Sequence, residues 1–374
     1  MLRQYKLRNY NFRLVVYVLA LSLIGYFAIG SAKASVQDRQ MLGIIVGFFA
    51  MVFLSLVDYS FYSKIKWPIY IFNIVMLVLI LTPLGVSVNG AKRWINIGFQ
   101  FQPSELAKIL LILFFSQFIM KYREKLNTFK MIMTMLVILG IPLLLVYLEP
   151  DLSTSIMLVV TFCIMLLIGG LEYRIVLTVL GIIVPLGVLF FSIILQEDQN
   201  ILKGYQVTRI LAWLDPEKYA DSAAYQQLNS ITAIGSGMLT GKGLNNNVIT
   251  SVKNGNFISE PQTDFIYTVI GEELGFIGAA AVIILLLLIG FECMRIAKRS
   301  KDLAGAIFAD AMAGLICIQG FMNIAVTTGF LPNTGIPLPF VSYGLTSLVS
   351  LYLGIGVVLN IGLQGSKRKN TIEN

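Results

Sequence analysis

The sequence predicts an all-α integral membrane protein with ten transmembrane helices, and three observations support this fold class. Of its 374 residues, 57% are hydrophobic and only 13% are charged, whereas soluble domains are about half apolar and about a quarter charged. Apolar runs of about 20 residues recur along the chain, and this length crosses a bilayer as a helix. The net charge of +8 lies in short loops between these runs. Basic residues there set topology and meet membrane lipid, so no nucleic acid is expected as a partner.

The spans form a single polytopic membrane domain that takes up residues 1–374. The predicted spans are residues 12–32, 38–57, 67–86, 104–121, 131–148, 152–170, 173–195, 265–294, 303–328 and 341–363. We interpret the first run as an uncleaved span, although its exit at Ala32 and Ala34 resembles a signal-peptide cleavage site, because the topology requires it. With the N-terminus inside, nearly every short cytoplasmic loop is rich in lysine and arginine, so both termini are predicted to be cytoplasmic.

Three segments predicted on the outer side are more than short turns. Residues 86–103 combine a glycine-centred turn with alternating apolar residues, and residues 329–340 are dense in proline and glycine. Residues 196–262 form a large extracytoplasmic loop between spans 7 and 8, and their apolar and aromatic content predicts an ordered structure on the membrane surface. Because long loops in compact proteins are usually functional or disordered, we expect this loop to contribute to the active site.

The residue types in the chain limit its chemistry. It contains no histidine, which excludes a Ser-His-Asp triad, histidine acid–base catalysis and histidine metal ligands. The cysteines Cys163, Cys293 and Cys317 lie far apart in apolar runs and are typical of small buried hydrophobic residues rather than a disulfide or zinc site. Any catalysis must use carboxylates, lysine, arginine, hydroxyls or amides. The sequence identifies no cofactor and leaves a divalent cation open.

The start of the fourth span carries opposite charges on one helix face. Glu105 and Lys108 are three residues apart, a spacing that brings side chains together, and Ser104 is the predicted N-cap. One interpretation is a local ion pair. The other, which we favour, is that Lys108 points into an outward-facing cavity and meets a carboxylate or a phosphate, because a lysine at membrane depth needs a partner.

The turn Glu149-Pro150-Asp151 joins two predicted spans on the outer side. Pro150 fits the first helical position and Asp151 fits the first turn of the following helix. These placements favour a structural role for the turn.

Asp264 stands where a long apolar helix is predicted to begin. An aspartate at this place is commonly a helix cap. A carboxylate half-desolvated at the membrane face also has a raised proton affinity, which suits a general base. Glu260 lies four residues earlier and could tune such a base, whereas Glu272 and Glu273, two turns further on, are predicted to be packing or network residues.

Five motifs together resemble one known family. They are GAKRWINIGFQFQPSELAK, EPDLSTS, YQQLNSITAIGSGMLTGKGL, SEPQTDFIYTVIGEELGFIG and LPNTGIPLPFVSYG. Their order along the ten predicted spans resembles that in the SEDS proteins, which include RodA, FtsW and SpoVE. The sequence of the long loop is most similar to that of the RodA branch. One departure is visible: Leu345 follows the last motif where the family usually has a second glycine.

The resemblance implies a peptidoglycan glycosyltransferase of the bacterial plasma membrane. Such an enzyme polymerises lipid II into β-1,4 glycan strands at the outer face, for cell elongation and shape or for division or sporulation. Its implied partners are lipid II, the nascent lipid-linked glycan, membrane lipid and a class B penicillin-binding protein that acts as the transpeptidase.

The resemblance also implies roles for individual residues. The essential acid of the TDF motif falls on Asp264, which we expect to act as general base. The family's other charged motif positions fall on Glu105, Lys108 and Arg93. Lys108 and Arg93 are the main candidates for binding the pyrophosphate leaving group. The weaker candidates for this site are Lys92, Arg209 and Lys242.

Two alternatives remain open from the sequence. A lipid II flippase would need polar groups along a path to both faces, whereas the acids here gather on the predicted outer side. A scaffold protein without chemistry of its own would tolerate the loss of Asp264.

Overall fold

The computed structural model is helical, and the residues it describes confirm the all-α membrane class. The described residues are 10–88, 91–96, 98–179, 181–182, 185, 204–245, 251, 255 and 257–365. Within them, nine helices are long and apolar enough to cross a membrane. The predicted seventh span, 173–195, is helical over residues 173–179 and lies for the most part outside the described residues.

The first six helices match predicted spans closely. They are α1 (Phe12–Ala32), α2 (Gln37–Leu56), α3 (Tyr62–Leu81), α4 (Pro103–Lys121), α5 (Phe129–Leu148) and α6 (Leu152–Gly169). The largest boundary error is at α3, which both begins and ends earlier than the predicted 67–86. It ends at Leu81 because Thr82 precedes a proline and takes an extended conformation, with ψ of 173°.

Two shorter helices and three long ones complete the described chain. They are α7 (Gly204–Leu214), α8 (Tyr225–Ser236), α9 (Ile266–Ala297), α10 (Leu303–Thr327) and α11 (Leu345–Gln364). The short pair, α7 and α8, belongs to the predicted extracytoplasmic loop. The described part of that loop therefore contains two helices.

The alternating segment between α3 and α4 folds as a small antiparallel sheet. Its strands are β1 (Gly85–Val88), β2 (Ala91–Asn96) and β3 (Gln100–Phe101), with β2 in the middle. The register places Val86 opposite Trp94. Central strand β2 thereby carries Arg93 at the end of the bundle where α4 begins.

Helix α4 is the centre of the bundle. Most of its side chains are buried, including polar ones, and it packs against α3, α6, α10 and α11. A helix that is buried on all sides cannot show one apolar stripe. Charged residues in its buried part must therefore find their partners inside the protein.

A glycine interrupts α9 after its first turns. Gly275 has φ of 64° and ψ of −162°, a backbone region that is essentially restricted to glycine. The loop after α8 bonds to the helix at this break. Lys242 N donates to Glu272 O over 3.0 Å, and Phe276 N donates to Met238 O over 2.9 Å. The break thus attaches the long loop to the start of α9.

We predict that Gly275→Ala destabilises the protein, because a side chain at this conformation is strained and its Cβ would meet the backbone of Gly241. The expected loss in free energy of unfolding is about 1–3 kcal/mol, measured by thermal unfolding in detergent. Gly140→Ala in α5 is the control, since a Cβ there meets nothing within 4 Å. Equal stability of the two variants would contradict this account of the break.

Candidate functional site

Asp264 lies just before α9 and does not cap it. The helix begins at Ile266 with Phe265 at the N-cap, so the capping interpretation is wrong: turn residues 261–265 delay the helix start. The backbone of this turn is held by other residues. Asn323 Nδ2 donates to Asp264 O over 2.7 Å, and Ser342 Oγ donates to Thr263 O over 2.6 Å.

The proline- and glycine-rich segment between α10 and α11 approaches the carboxyl group of Asp264. Gly335 in this segment has φ of 71°, and a Cβ added to it would lie 3.2 Å from Asp264 Oδ2. Glycine therefore meets two needs at this position. It adopts the left-handed conformation, and it leaves room for the carboxylate.

Burial and nearby charges set the proton affinity of Asp264. Burial raises the pKa of its carboxyl to about 6, the positive charges of Arg209 and Arg93 oppose this rise, and the negative charge of Asp151 adds to it. These groups come from three separate elements: α7, β2 and the turn before α6. The arrangement joins a carboxyl that can exchange a proton near neutral pH with two guanidinium groups that can stabilise an anion.

Arg93 ties the small sheet to the turn between α5 and α6. Its Nε donates to Glu149 O over 3.2 Å, and its Nη2 donates to Pro150 O. The turn also corrects a prediction. Pro150 precedes the helix, and Asp151 is its N-cap, with the carboxylate accepting from Thr154 N over 3.1 Å. The carboxylate takes the capping position because it can satisfy an amide that the helix leaves unpaired.

Glu149 is buried beside this turn. Neither of its carboxyl oxygens has a hydrogen-bond partner within the part of the chain that the structure describes. Burial raises the pKa of Glu149 to about 9, with Asp151 adding to the rise and Arg93 opposing it. Glu149 is therefore neutral at pH 7, which limits the negative charge beside Arg93 and Asp151.

Lys108 is buried in an ion pair. Its Nζ lies 2.9 Å from Glu105 Oε1 and donates to Gln319 Oε1 over 3.0 Å. The local pair is thus present, whereas contact of Lys108 with a substrate stays a prediction. The Ser104 N-cap is wrong: Gln102 is the N-cap and Pro103 is the first helical residue, the position that proline favours.

Three other residues predicted for the substrate site each contact another group of the protein. Glu260 is exposed and pairs with Lys33 over 3.1 Å, and it is not among the charges that shift the pKa of Asp264. Lys242 pairs with Glu272 over 2.7 Å, and Lys92 Nζ donates to the backbone oxygen of Thr82 over 2.7 Å. Their roles toward a substrate remain predictions.

The two acids further along α9 lie in packing contacts, as predicted. Glu272 and Glu273 are buried, and Glu273 accepts a hydrogen bond from Ser31 Oγ over 2.6 Å. For metal binding, no group of three or more acids and cysteines able to hold an ion occurs among the described residues.

The sequence reasoning missed Asn323 and Gly335, which lie beside Asp264, and Gln319, which bonds the segment that carries Gly335. Gln319 and Asn323 lie one turn apart on an otherwise apolar stretch of α10. Paired amides at this spacing share a helix face, and polar residues within a membrane helix commonly mark a functional contact. That spacing was the available signal for Gln319 and Asn323.

Comparison with known proteins gives a consistent set of similarities. The sequence profile of the FtsW, RodA and SpoVE group, described as cell cycle proteins, matches residues 8–367. Stage V sporulation protein E of Bacillus subtilis is 34% identical over 365 residues, covering 93% of this chain and 95% of that protein. The probable peptidoglycan glycosyltransferase FtsW of Geobacter sp. strain M18 is 33% identical over 326 residues, covering 86% and 85%. Because these two relatives are named for FtsW and for sporulation, the assignment of this chain to the RodA branch stays a prediction.

A solved structure has the same fold over nearly the whole chain. It belongs to a peptidoglycan synthase complex whose polymerization and crosslinking are structurally coordinated. The TM-score is 0.76 at 26% identity, and the match covers 94% of this chain and 97% of that one.

We predict that Lys108→Met lowers the free energy of unfolding by about 3–5 kcal/mol, because it leaves the Glu105 carboxylate buried without its cation. The double variant Glu105→Gln/Lys108→Met removes both charges and is expected to recover most of this loss. Thermal unfolding in detergent measures both. A single variant as stable as the unmodified protein would show that the pair does not support the fold.

Proposed function

The chain belongs to the FtsW, RodA and SpoVE family of cell cycle proteins, and we propose that it polymerises lipid II into β-1,4 glycan strands. It is a glycosyltransferase, in keeping with relatives named as peptidoglycan glycosyltransferases. The observation that carries the proposal is Asp264, a carboxyl whose pKa is raised to about 6 by burial, with two arginines close enough to act on its charge. The proposed site lies at the outer face of the plasma membrane.

The proposed reaction joins two lipid-linked sugars. The acceptor is the 4-hydroxyl of the N-acetylglucosamine of lipid II, and the donor is the growing glycan on undecaprenyl diphosphate. Asp264 takes the hydroxyl proton while the oxygen attacks the anomeric carbon of the donor. The bond from that carbon to the diphosphate breaks, and the α linkage is inverted to a β-1,4 bond.

Arg93 and Arg209 are the proposed stabilisers of the leaving diphosphate. Both act on Asp264 through their charge, and Arg209 also donates to Asn333 O over 3.2 Å, which fixes it beside the Gly335 turn. Guanidinium groups suit a diphosphate because they bind its oxygens in a planar fork. A divalent cation could contribute further charge, and a chelator would test this.

A class B penicillin-binding protein is the proposed partner. A chain with the same fold belongs to a peptidoglycan synthase complex that couples polymerization with crosslinking. A transpeptidase beside the polymerase would receive the new strand where it forms.

We predict that Asp264→Asn lowers the rate of lipid II polymerisation by about 10²–10⁴-fold, since the amide cannot accept the proton. The measurement is the polymer formed by the purified protein, with and without a class B penicillin-binding protein. Asp221→Asn is the matched control, because Asp221 is an exposed acid in the same outer loop. Full activity of folded Asp264→Asn would exclude the base role, and lipid II flux into liposomes without polymer would favour the flippase alternative.

We also predict an acid limb in the pH profile of the unmodified enzyme. Asp264 must be deprotonated to act as a base, so kcat/KM should rise with pH and level off above about 6, the raised pKa of this group. Below that pH the rate should fall about tenfold per pH unit. A limb near 4 would show that the carboxyl is solvated in the working enzyme.

A further inference from the structure

Two amides on α10 hold the non-helical backbone around Asp264. Gln319 Nε2 donates to Pro337 O over 2.9 Å, and Asn323 Nδ2 donates to Ile336 O over 2.7 Å. The two acceptors are neighbours in the segment that carries Gly335. Asn323 Nδ2 also donates to Asp264 O over 2.7 Å, so one amide joins the turn of Asp264 to the turn that faces its carboxyl.

We propose that Asn323 and Gln319 are positioning residues that hold Asp264 against the Gly335 turn in the geometry needed for proton transfer. The proposal rests on the proposed function of Asp264 as the base. Neither amide needs to touch the substrate, because both act through backbone carbonyls. Their effect on the reaction is to fix where the carboxyl stands and how much water reaches it.

The burial of Asn323 supports this role. The side chain is 1% exposed, and its two amide hydrogens match its two carbonyl acceptors. Its Oδ1 has no hydrogen-bond partner among the described residues. A buried orphan acceptor is unfavourable and rare in folded proteins. Its presence indicates that the two donated bonds are what the position requires.

The buried ion pair of α4 sets the orientation of Gln319. Lys108 can only donate, so the atom of Gln319 that faces it must be the oxygen Oε1. The nitrogen then points to Pro337 O. Glu105, Lys108 and Gln319 therefore form one chain of contacts that ends on the segment beside Asp264, which gives the buried lysine a function without direct contact to the diphosphate.

The charges around Asp264 make this positioning measurable. The carboxyl of Asp264 is acted on by the charges of Arg209 on α7, Arg93 on β2 and Asp151 before α6. Glu260, which lies just before the turn of Asp264, pairs with Lys33 instead. Asp264 is partly buried, and if the amide bonds are lost, the turn loosens and more water reaches the carboxyl. The pKa of Asp264 then falls toward the ordinary aspartate value, because burial is the largest cause of its rise.

The test uses Asn323→Leu and Gln319→Met, which keep side-chain size and remove the donors. The full-length protein is assayed for lipid II polymerisation across the acid limb. We expect the plateau rate to fall about 10–100-fold, since misplacing a catalytic group by about 1 Å has effects of this size. We also expect the acid limb to move from about 6 toward about 4.

Thr327→Val is the matched control. It lies one turn beyond Asn323 on α10, and its Oγ1 donates only to carbonyls of its own helix, Asn323 O at 3.2 Å and Ile324 O at 2.9 Å. Its loss should leave the acid limb in place, and thermal unfolding reports the folded fraction of all variants.

A lower rate with an unmoved acid limb in either folded variant would overturn the positioning role, because a merely structural residue changes the amount of active enzyme and not its pKa. If Asn323→Leu does not fold, Gln319→Met decides alone. If neither variant can be purified in a folded form, this also counts against the proposal, since the amides would then serve the fold. Failure of the base role itself is distinguishable: Asp264→Asn would remain active, or the unmodified enzyme would lack the limb.

Discussion

The hydrogen bonds that satisfy non-helical backbone between the helices are the constraint on which this site depends. A membrane protein can bury irregular backbone only where other protein groups bond its carbonyls and amides. Here the turn before α9 and the segment before α11 supply such backbone. Side chains of α10 and of the segment itself bond to it, and Tyr343 N donates to Gln262 O over 2.9 Å. The site can therefore lie against the helices without the free-energy cost of many unpaired backbone groups.

The same burial sets the electrostatics of the site. A carboxyl removed from water binds its proton more tightly, and positive charges nearby oppose this effect. At Asp264 the balance leaves a pKa of about 6, so the group is ionised at neutral pH and is still a better base than a solvated aspartate. Glu149 lacks a hydrogen-bonding partner in the described structure, and its pKa is about 9. It therefore adds no negative charge beside Arg93, which donates to its backbone oxygen.

The fold was largely predictable from the sequence, because apolar runs and proline positions are local signals. Helix starts were less so: Ser104 and Pro150 had plausible local roles, and yet Gln102 and Asp151 became the caps. Residue spacing alone could not distinguish Asp264 from an ordinary helix cap. The predicted topology and the family resemblance favoured its role as a general base. Its surroundings come from α7, β2 and α10, which are distant in the chain, so no local pattern shows that they meet at Asp264.

The described part of the long loop bonds to the same non-helical backbone. Trp213 Nε1 donates to Gly329 O over 3.1 Å, and Gln227 Nε2 donates to Leu331 O over 2.7 Å. Helices α7 and α8 therefore bind the beginning of the segment whose later residues face Asp264. A change in how the loop docks would move that segment and the guanidinium of Arg209 together. The loop thus contacts both the backbone packed near the carboxyl and, through Arg209, one of the positive charges that act on it.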